Sequence, residues 1–363
     1  MQKLIDPWGS GLLEDYEKIV KDFGLEVFNS KSFLEPNRIM RRNVVFAGRD
    51  LARIADAIKH KKKFYALSGI MPTNDRIHFG NKMVIENLAY FQKHGAKTIV
   101  AIADLEAAAV RGVSLAEARK RALEFHIPAY IALGLNPKKT VFYFQSDHRD
   151  STRIAFEAAQ KITLNEFRAT YGVADPSRIM SALTQIGDIV FPQLEERMPG
   201  IIPVGIDQEP HIRLTRDFVS RTRSSFNFFQ VSSIYHKYTP ALNGELKMSK
   251  SKPESCIDLP EDPKSACAKI KRALTGGRDT LEEHRKLGAV IEKDMVFELL
   301  KQHLIEDDKE LQEIYDEYKG GRMTSGELKQ IACDKTTVFM KRLQEDIEDA
   351  RRLVKAKELN FIS

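Results

Sequence analysis

Four short apolar runs in the middle of the chain alternate with longer stretches of helical periodicity. The runs are rich in residues that favour β-strands, and they cover residues 64–68, 98–103, 141–145 and 201–204. Strands that alternate with helices predict an α/β fold with a doubly wound parallel sheet. Ligands bind such sheets at the carboxyl ends of the strands, where the strand order reverses, so we expect the functional site there.

The chain on either side of these runs has the pattern of helices. Amphipathic helices are predicted over residues 12–23 and from about 48 to 58. After Pro253 the sequence becomes more charged and keeps a helical period to the end. We therefore predict an N-terminal extension over 1–40, an α/β domain over 41–260 and a helical C-terminal domain over 261–363.

Composition narrows the class of protein only a little. The 363 residues carry 57 Lys and Arg against 51 Asp and Glu, a surplus that permits contact with nucleic acid without establishing it. Cys256, Cys267 and Cys333 lack the spacing of a zinc site and are interpreted as small, partly buried residues in a reducing compartment. No uncharged run is long enough to span a membrane. We expect a cytoplasmic protein without zinc.

Residues 246–252 form a strongly basic segment. They place Lys247, Lys250 and Lys252 beside two serines, after the turn-forming pair at 243–244. Such a segment is too polar for a buried strand and is predicted to be a loop. Ammonium, hydroxyl and backbone N–H groups suit the brief binding of a polyanion such as a leaving pyrophosphate. The alternative is an ordinary solvated turn.

A second candidate for phosphate binding follows the first predicted strand. Residues 72–81 connect that strand to a helix predicted over 82–94, and backbone N–H groups at a helix start attract anions. Gly80 permits close approach of a ligand, and Thr73 and His78 could donate to phosphate oxygens. A histidine at a helix start is more often a cap or a packing residue, so this string alone is weak.

The last of the four strands is followed by a third polar string, residues 205–213. Gly205 lets a ligand approach the backbone, Asp207 can accept from ribose hydroxyls, and Gln208 can both donate and accept. The alternative is a glycine turn with an aspartate helix cap, which leaves Gln208 unexplained.

Taken together, these strings resemble a known family. The HFGN string at 78–81 and the KMSKS string at 247–251 resemble the two signature motifs of class I aminoacyl-tRNA synthetases. The second string matches in full, and the first ends in Asn81 where His is commoner, which affects only a cationic role at that position. Residues 205–217 and 275–278 resemble the tryptophanyl-tRNA synthetases of the archaeal and eukaryotic kind, and the likeness covers most of the chain.

This resemblance implies an enzyme with a Rossmann-like catalytic domain over 41–260. It would activate L-tryptophan with ATP and Mg²⁺ to the adenylate, release pyrophosphate, and transfer tryptophan to tRNA(Trp). The helical domain over 261–363 would bind the anticodon, and the protein would be a homodimer, the commonest symmetric assembly. Two alternatives stay open: tyrosine activation by the same chemistry, and a catalytically idle RNA-binding paralogue.

The resemblance also assigns roles to residues. The catalytic group would be Lys247, Lys250, His78 and Thr73. The ATP-binding group would be Gly69, Gly80, Asn81, Gly205, Asp207, Met248 and Ser249. The tryptophan-binding group would be Leu67, Glu106, Gln185, Asp188 and Gln208.

The identity of the amino acid depends on the walls of its pocket. Gln185 and Asp188 are three residues apart on a predicted helix and therefore share a face. Asp188 could accept from an indole N–H or a phenol O–H, so its chemistry does not discriminate. Leu67 occupies a position where tyrosyl enzymes carry Tyr, which leaves room for an indole. The residue that contacts the indole N–H stays open. The role of Trp8, the only tryptophan of the chain, in the predicted N-terminal extension also stays open.

Overall fold

The computed structural model describes residues 15–249 and 252–363. Three residues discussed above, Trp8, Lys250 and Ser251, lie outside the described residues.

The strands form one large sheet and one small ribbon. The strands are β1 (Glu26–Val27), β2 (Val45–Arg49), β3 (Tyr65–Ile70), β4 (Ile77–His78), β5 (Lys97–Ile102), β6 (Thr140–Phe144), β7 (Gly200–Gly205), β8 (Ser232–His236), β9 (Asp258–Leu259) and β10 (Asn360–Phe361). The large sheet has the order β1-β2-β8-β7-β3-β5-β6-β10, and β4 pairs with β9. Strands β8, β7, β3, β5 and β6 are parallel neighbours, whereas β1, β2 and β8 pair in antiparallel fashion.

Helices cover both faces of the sheet and form most of the C-terminal region. They are α1 (Tyr16–Asp22), α2 (Arg38–Arg41), α3 (Leu51–Lys59), α4 (Phe79–Lys93), α5 (Asp104–Arg111), α6 (Leu115–Arg121), α7 (Ile127–Ala132), α8 (Arg149–Lys161), α9 (Leu164–Tyr171), α10 (Pro176–Val190), α11 (Pro192–Glu195), α12 (Glu209–Arg221), α13 (Pro263–Arg272), α14 (Leu281–Leu287), α15 (Met295–Leu299), α16 (Asp308–Lys319) and α17 (Ser325–Lys355). Helices α6 and α7 are joined by a π-helical turn, Ala122–His126. No helix in the described part of the chain is long and apolar enough to cross a membrane.

The predicted doubly wound sheet is confirmed, and strand β3 shows its physical basis. Successive side chains of a strand point to opposite faces. Ala66 and Ile70 pack into the core under α3, α4 and α7, whereas Tyr65 and Leu67 pack into the core under α8, α10 and α12. The chain leaves β3 towards β5 and β6 and later returns to β7 on the other side, so the strand order reverses between β3 and β7.

The antiparallel edge of the sheet was not predicted from the sequence. The helix expected from residue 48 begins at Leu51, because residues 45–49 form strand β2. A Cβ at Gly48 would lie 2.6 Å from the Ser233 carbonyl oxygen, so this glycine allows β2 to approach β8. The helix predicted over 48–58 is therefore correct for residues 51–58 and wrong for residues 48–50.

The C-terminal helices share a core with the start of α4. Ile77 and Phe79 belong to the same buried cluster as Met340 and Leu343 of α17. The chain then returns to the sheet, where β10 pairs with β6. The three-part division of the chain stays a prediction.

The interpretation of the cysteines as small, partly buried residues in a reducing compartment missed a disulfide between two of them. Cys267 of α13 and Cys333 of α17 form a disulfide with a Cα–Cα distance of 5.0 Å, and Cys256 is free and buried. The partners are 66 residues apart in the sequence. Only the packing of α13 against α17 brings them together, so their spacing carried no signal.

Candidate active site

A cavity of about 410 Å³ lies at the carboxyl ends of the parallel strands, beside the switch point between β3 and β7. It brings together nearly all the described residues that the sequence predicted for the site. These are Leu67, Gly69, Thr73, His78, Gly80, Asn81, Glu106, Gln185, Asp188, Gly205, Asp207, Gln208, Lys247 and Met248. Ser249 is described but does not line the cavity, and Lys250 lies outside the described residues.

The HFGN string forms the start of α4 as a capping box. The His78 Nδ1 atom accepts from the Gly80 N–H at 3.0 Å, and the Asn81 Oδ1 atom accepts from the His78 N–H at 3.1 Å. Because Nδ1 accepts, the neutral ring carries its proton on Nε2, which is a donor. A Cβ at Gly80 would lie 2.9 Å from His78 Cε1, so the glycine makes room for the ring. Asn81 has a structural role that needs no positive charge.

The loop between β3 and α4 is held by two side chains that sequence reasoning missed. Arg121 donates to the Thr73 carbonyl oxygen, and His126 Nε2–H donates to the Asn74 carbonyl oxygen at 2.7 Å. His126 belongs to the π-helical turn, a feature that often occurs at functional sites. These contacts fix the backbone that presents Thr73 to the cavity.

The loop string and the third polar string meet at an ion pair. Lys247 Nζ lies 2.8 Å from Asp207 Oδ2, and their side chains are 34% and 16% exposed. A Cβ at Gly205 would lie 2.5 Å from Asp207 Oδ1, so the glycine gives the carboxylate its space. The Met248 N–H donates to the Thr239 carbonyl oxygen at 2.8 Å, which anchors this end of the KMSKS string beside the cavity.

Two acids line the part of the cavity predicted to bind the amino acid. Glu106 accepts from Gln185 Nε2 at 2.9 Å. Asp188 accepts from the Tyr143 hydroxyl at 2.8 Å and from Gln145 Nε2 at 2.6 Å. Burial raises the pKa of Asp188 to about 7, and the hydrogen bonds from Gln145 and Tyr143 act in the opposite direction.

Close helix packing positions Gln185 and Asp188. A Cβ at Gly187 would lie 2.1 Å from the Ser151 carbonyl oxygen, so only glycine lets α10 approach α8 this closely. The shared helical face predicted for Gln185 and Asp188 therefore turns toward the cavity.

Several further cavity residues had no assigned role in the sequence. They are Arg111, His126, Tyr130, Gln145, His211, His236 and Tyr238. His211 pairs with the Tyr171 hydroxyl at 2.9 Å, and burial lowers its pKa to about 3, so its ring is neutral. The strands and helices that carry these residues are far apart in the chain, and only the fold brings them together. Among the residues that the structure describes, no group of three or more His, Cys, Asp or Glu side chains could hold a metal ion.

Comparisons with known proteins agree with this architecture. The family model described as "tRNA synthetases class I (W and Y)" matches residues 59–341. The tryptophan–tRNA ligase of Methanocaldococcus jannaschii is 41% identical over 359 residues, which cover 96% of each chain. The crystal structure of tryptophanyl-tRNA synthetase from Aeropyrum pernix superposes with a TM-score of 0.89 at 40% identity, over 97% of this chain and 98% of that one. The enzyme of Encephalitozoon cuniculi bound to tryptophan has a TM-score of 0.83 at 26% identity, over 94% and 98% of the two chains.

Proposed function

Because the chain belongs to the class I tRNA synthetases of the tryptophan and tyrosine family, we propose that it is a tryptophan–tRNA ligase. The observation that carries this proposal is the agreement, along 96% of the chain, with a tryptophan–tRNA ligase at 41% identity. The enzyme would join L-tryptophan to ATP as tryptophanyl-adenylate, release pyrophosphate, and pass tryptophan to the terminal adenosine of tRNA(Trp).

The first step needs positioning and charge stabilisation more than proton transfer. The tryptophan carboxylate is already a nucleophile, so its attack on the α-phosphate requires no general base. His78 Nε2–H and the Thr73 hydroxyl would donate to phosphate oxygens beside the start of α4. Lys247 and Lys250 would stabilise the charge that grows on the departing pyrophosphate, and Mg²⁺ bound to the nucleotide would offset the same charge.

The nucleoside would lie against the ends of β3 and β7. Asp207 would accept from the ribose hydroxyls, and Gly69 and Gly205 would let the backbone approach the nucleotide. This assignment is supported by the open space at Gly69, where a Cβ would meet only the Ala101 carbonyl oxygen, at 3.9 Å. Gly80, Asn81, Met248 and Ser249 would complete the border of the ATP site.

Tryptophan would occupy the part of the cavity between α5 and α10. Glu106, Gln185 and Gln208 would bind its ammonium group, since a carboxylate and two amide oxygens are suitable acceptors. Asp188 would accept from the indole N–H, and Leu67 would form part of the apolar wall. A buried acceptor rejects a substrate that lacks the matching donor far better than an apolar wall does.

We further propose that residues 261–363 bind the anticodon region and that the enzyme is a cytoplasmic homodimer. Lys341 and Arg342 on α17 are exposed and could meet phosphates.

The dimer is supported by apolar side chains on α8, α9 and α10: Phe156, Leu164 and Met180 are 67%, 47% and 49% exposed. Light scattering after size exclusion would test the assembly, and a monomer at micromolar concentration would contradict it.

The activity is tested by ATP–pyrophosphate exchange with each amino acid alone. Exchange that depends on tryptophan and is at least about a hundredfold less efficient with tyrosine is expected. Exchange that favours tyrosine would reverse the amino acid assignment. The absence of exchange with either amino acid would support an idle paralogue instead.

A further inference from the structure

Gln145 connects the two acids of the predicted amino acid site. It is the first residue after β6, it is 1% exposed, and it lines the cavity. Its Nε2 atom donates to Asp188 Oδ2 at 2.6 Å, and its Oε1 atom accepts from the Glu106 N–H at 3.3 Å. One amide group therefore spans from α10 to the first turn of α5.

The neighbouring residue strengthens the same connection. The Ser146 N–H donates to Asp104 Oδ1 at 3.1 Å, and its hydroxyl donates to Asp104 Oδ2 at 2.5 Å. The segment after β6 thus holds the start of α5 at two successive positions. Glu106, which lies in this turn, cannot shift relative to Asp188 without breaking these hydrogen bonds.

The hydrogen-bonding capacity of Asp188 defines what it can still bind. Tyr143 and Gln145 each use one lone-pair direction, on different carboxylate oxygens, and the Ser151 side chain is a third partner of this carboxylate. An ionised carboxylate has about four such directions, so it can accept a further hydrogen bond from a ligand in the cavity. The donor from Gln145 favours the ionised form against the opposite effect of burial. Loss of this donor would favour the protonated acid, which presents an O–H instead of an acceptor.

We propose that Gln145 is the positioning residue for indole recognition, because it orients Asp188 as an acceptor and fixes its separation from Glu106. This inference rests on the proposed tryptophan–tRNA ligase activity. The amide of Gln145 is bonded within the protein at both ends, so its role in this inference is to hold Asp188 and not to contact the indole. Its effect on binding would therefore pass through Asp188 and would be specific to substrates that carry an indole N–H.

The test compares tryptophan with 3-(benzothiophen-3-yl)alanine, in which sulfur replaces the indole N–H. Gln145→Met removes both hydrogen bonds at similar volume. Gln145→Glu keeps an oxygen for the Glu106 N–H and replaces the amide donor to Asp188 by a second carboxyl group, which disfavours the ionised acceptor form of Asp188. Gln92→Met is the matched control, since Gln92 is also a buried bridging amide, bonded to Thr140 and Asn136 outside the cavity.

Dissociation constants for both amino acids are measured by calorimetry, and folding is checked by thermal unfolding. Both Gln145 variants are expected to weaken tryptophan about tenfold or more, and the analogue less than about threefold. The Gln92 control should bind both amino acids as the wild type does. An equal loss for both amino acids in both Gln145 variants, or no loss for either, would overturn the inference. The proposed function is tested on its own by pyrophosphate exchange of the wild type with tryptophan. Absence of that exchange would refute the proposed function, whereas the dissociation constants test the role of Gln145.

Discussion

Replacement of Lys247 by Met is predicted to change ATP binding and catalysis in opposite directions. In the structure Lys247 Nζ lies 2.8 Å from Asp207 Oδ2, the carboxylate proposed to accept from the ribose. The same lysine is proposed to stabilise the departing pyrophosphate. Bound ATP would then have to draw the lysine away from Asp207, so the ion pair opposes the binding of ATP.

The size of the first effect follows from the exposure of the pair. Exposed ion pairs contribute about 0.2–1 kcal/mol. Lys247 is 34% exposed and Asp207 only 16% exposed, so we place this pair at the upper end, about 1 kcal/mol. Because 1.4 kcal/mol corresponds to a factor of ten, Lys247→Met should tighten ATP binding by up to about fivefold. Loss of one transition-state donor should slow adenylate formation by about a hundredfold or more.

The two effects are separated by pre-steady-state measurement of adenylate formation over a range of ATP concentrations. Lys252→Met is the control, since Lys252 forms an exposed pair with Glu245 at 2.5 Å and does not line the cavity. It should leave the ATP affinity and the rate within about twofold of wild type. If Lys247→Met weakens ATP binding, or leaves the rate within about twofold of wild type, the assignment of this lysine is wrong.

Three further predictions concern a glycine, the cysteines and a buried acid. Gly69→Ala should leave the unfolding temperature nearly unchanged and weaken ATP binding, because the new Cβ would point into the cavity, whereas Gly187→Ala should destabilise the fold through its clash with α8. Thiol titration of the denatured protein should give one thiol, Cys256, before reduction and three after it; three thiols without reductant would refute the disulfide. Tryptophan affinity should fall as the pH drops below about 7, because Asp188, whose pKa burial raises to about 7, becomes protonated. The folded pKa of Asp188 lies above the unfolded value, so the free energy of unfolding should decrease as the pH rises from about 4 to about 7. Comparison with Asp188→Asn measures both effects.

Four of the parallel strands could be predicted because their signal is local, whereas β8 was missed. Central strands are covered on both faces and therefore read as continuous apolar runs, which is true of β3, β5, β6 and β7. The edge strand β1 has only two residues, and β10 likewise. Runs this short carry no periodicity, so only the partners β2 and β6 define them as strands.

The candidate site could be predicted where a motif and its position in the fold coincide. The strings that contain His78, Gly205 and Lys247 each follow a strand or a turn, and all of them border the cavity. The partners of these residues could not be predicted in the same way. Asp188 meets Gln145 only because α10 packs over the end of β6, and 43 positions separate the two residues in the chain.

The structure also shows that two interpretations of His78 were never exclusive. A helix cap and a phosphate donor seemed to compete for one side chain, yet they use different atoms of the ring. The Nδ1 atom accepts from the Gly80 N–H, which fixes the proton of the neutral ring on Nε2. The cap therefore sets the tautomer that donation to phosphate requires. Asn81 supports the same arrangement, because its amide oxygen accepts from the His78 N–H and needs no positive charge to do so. An uncharged residue at this position is therefore compatible with nucleotide binding.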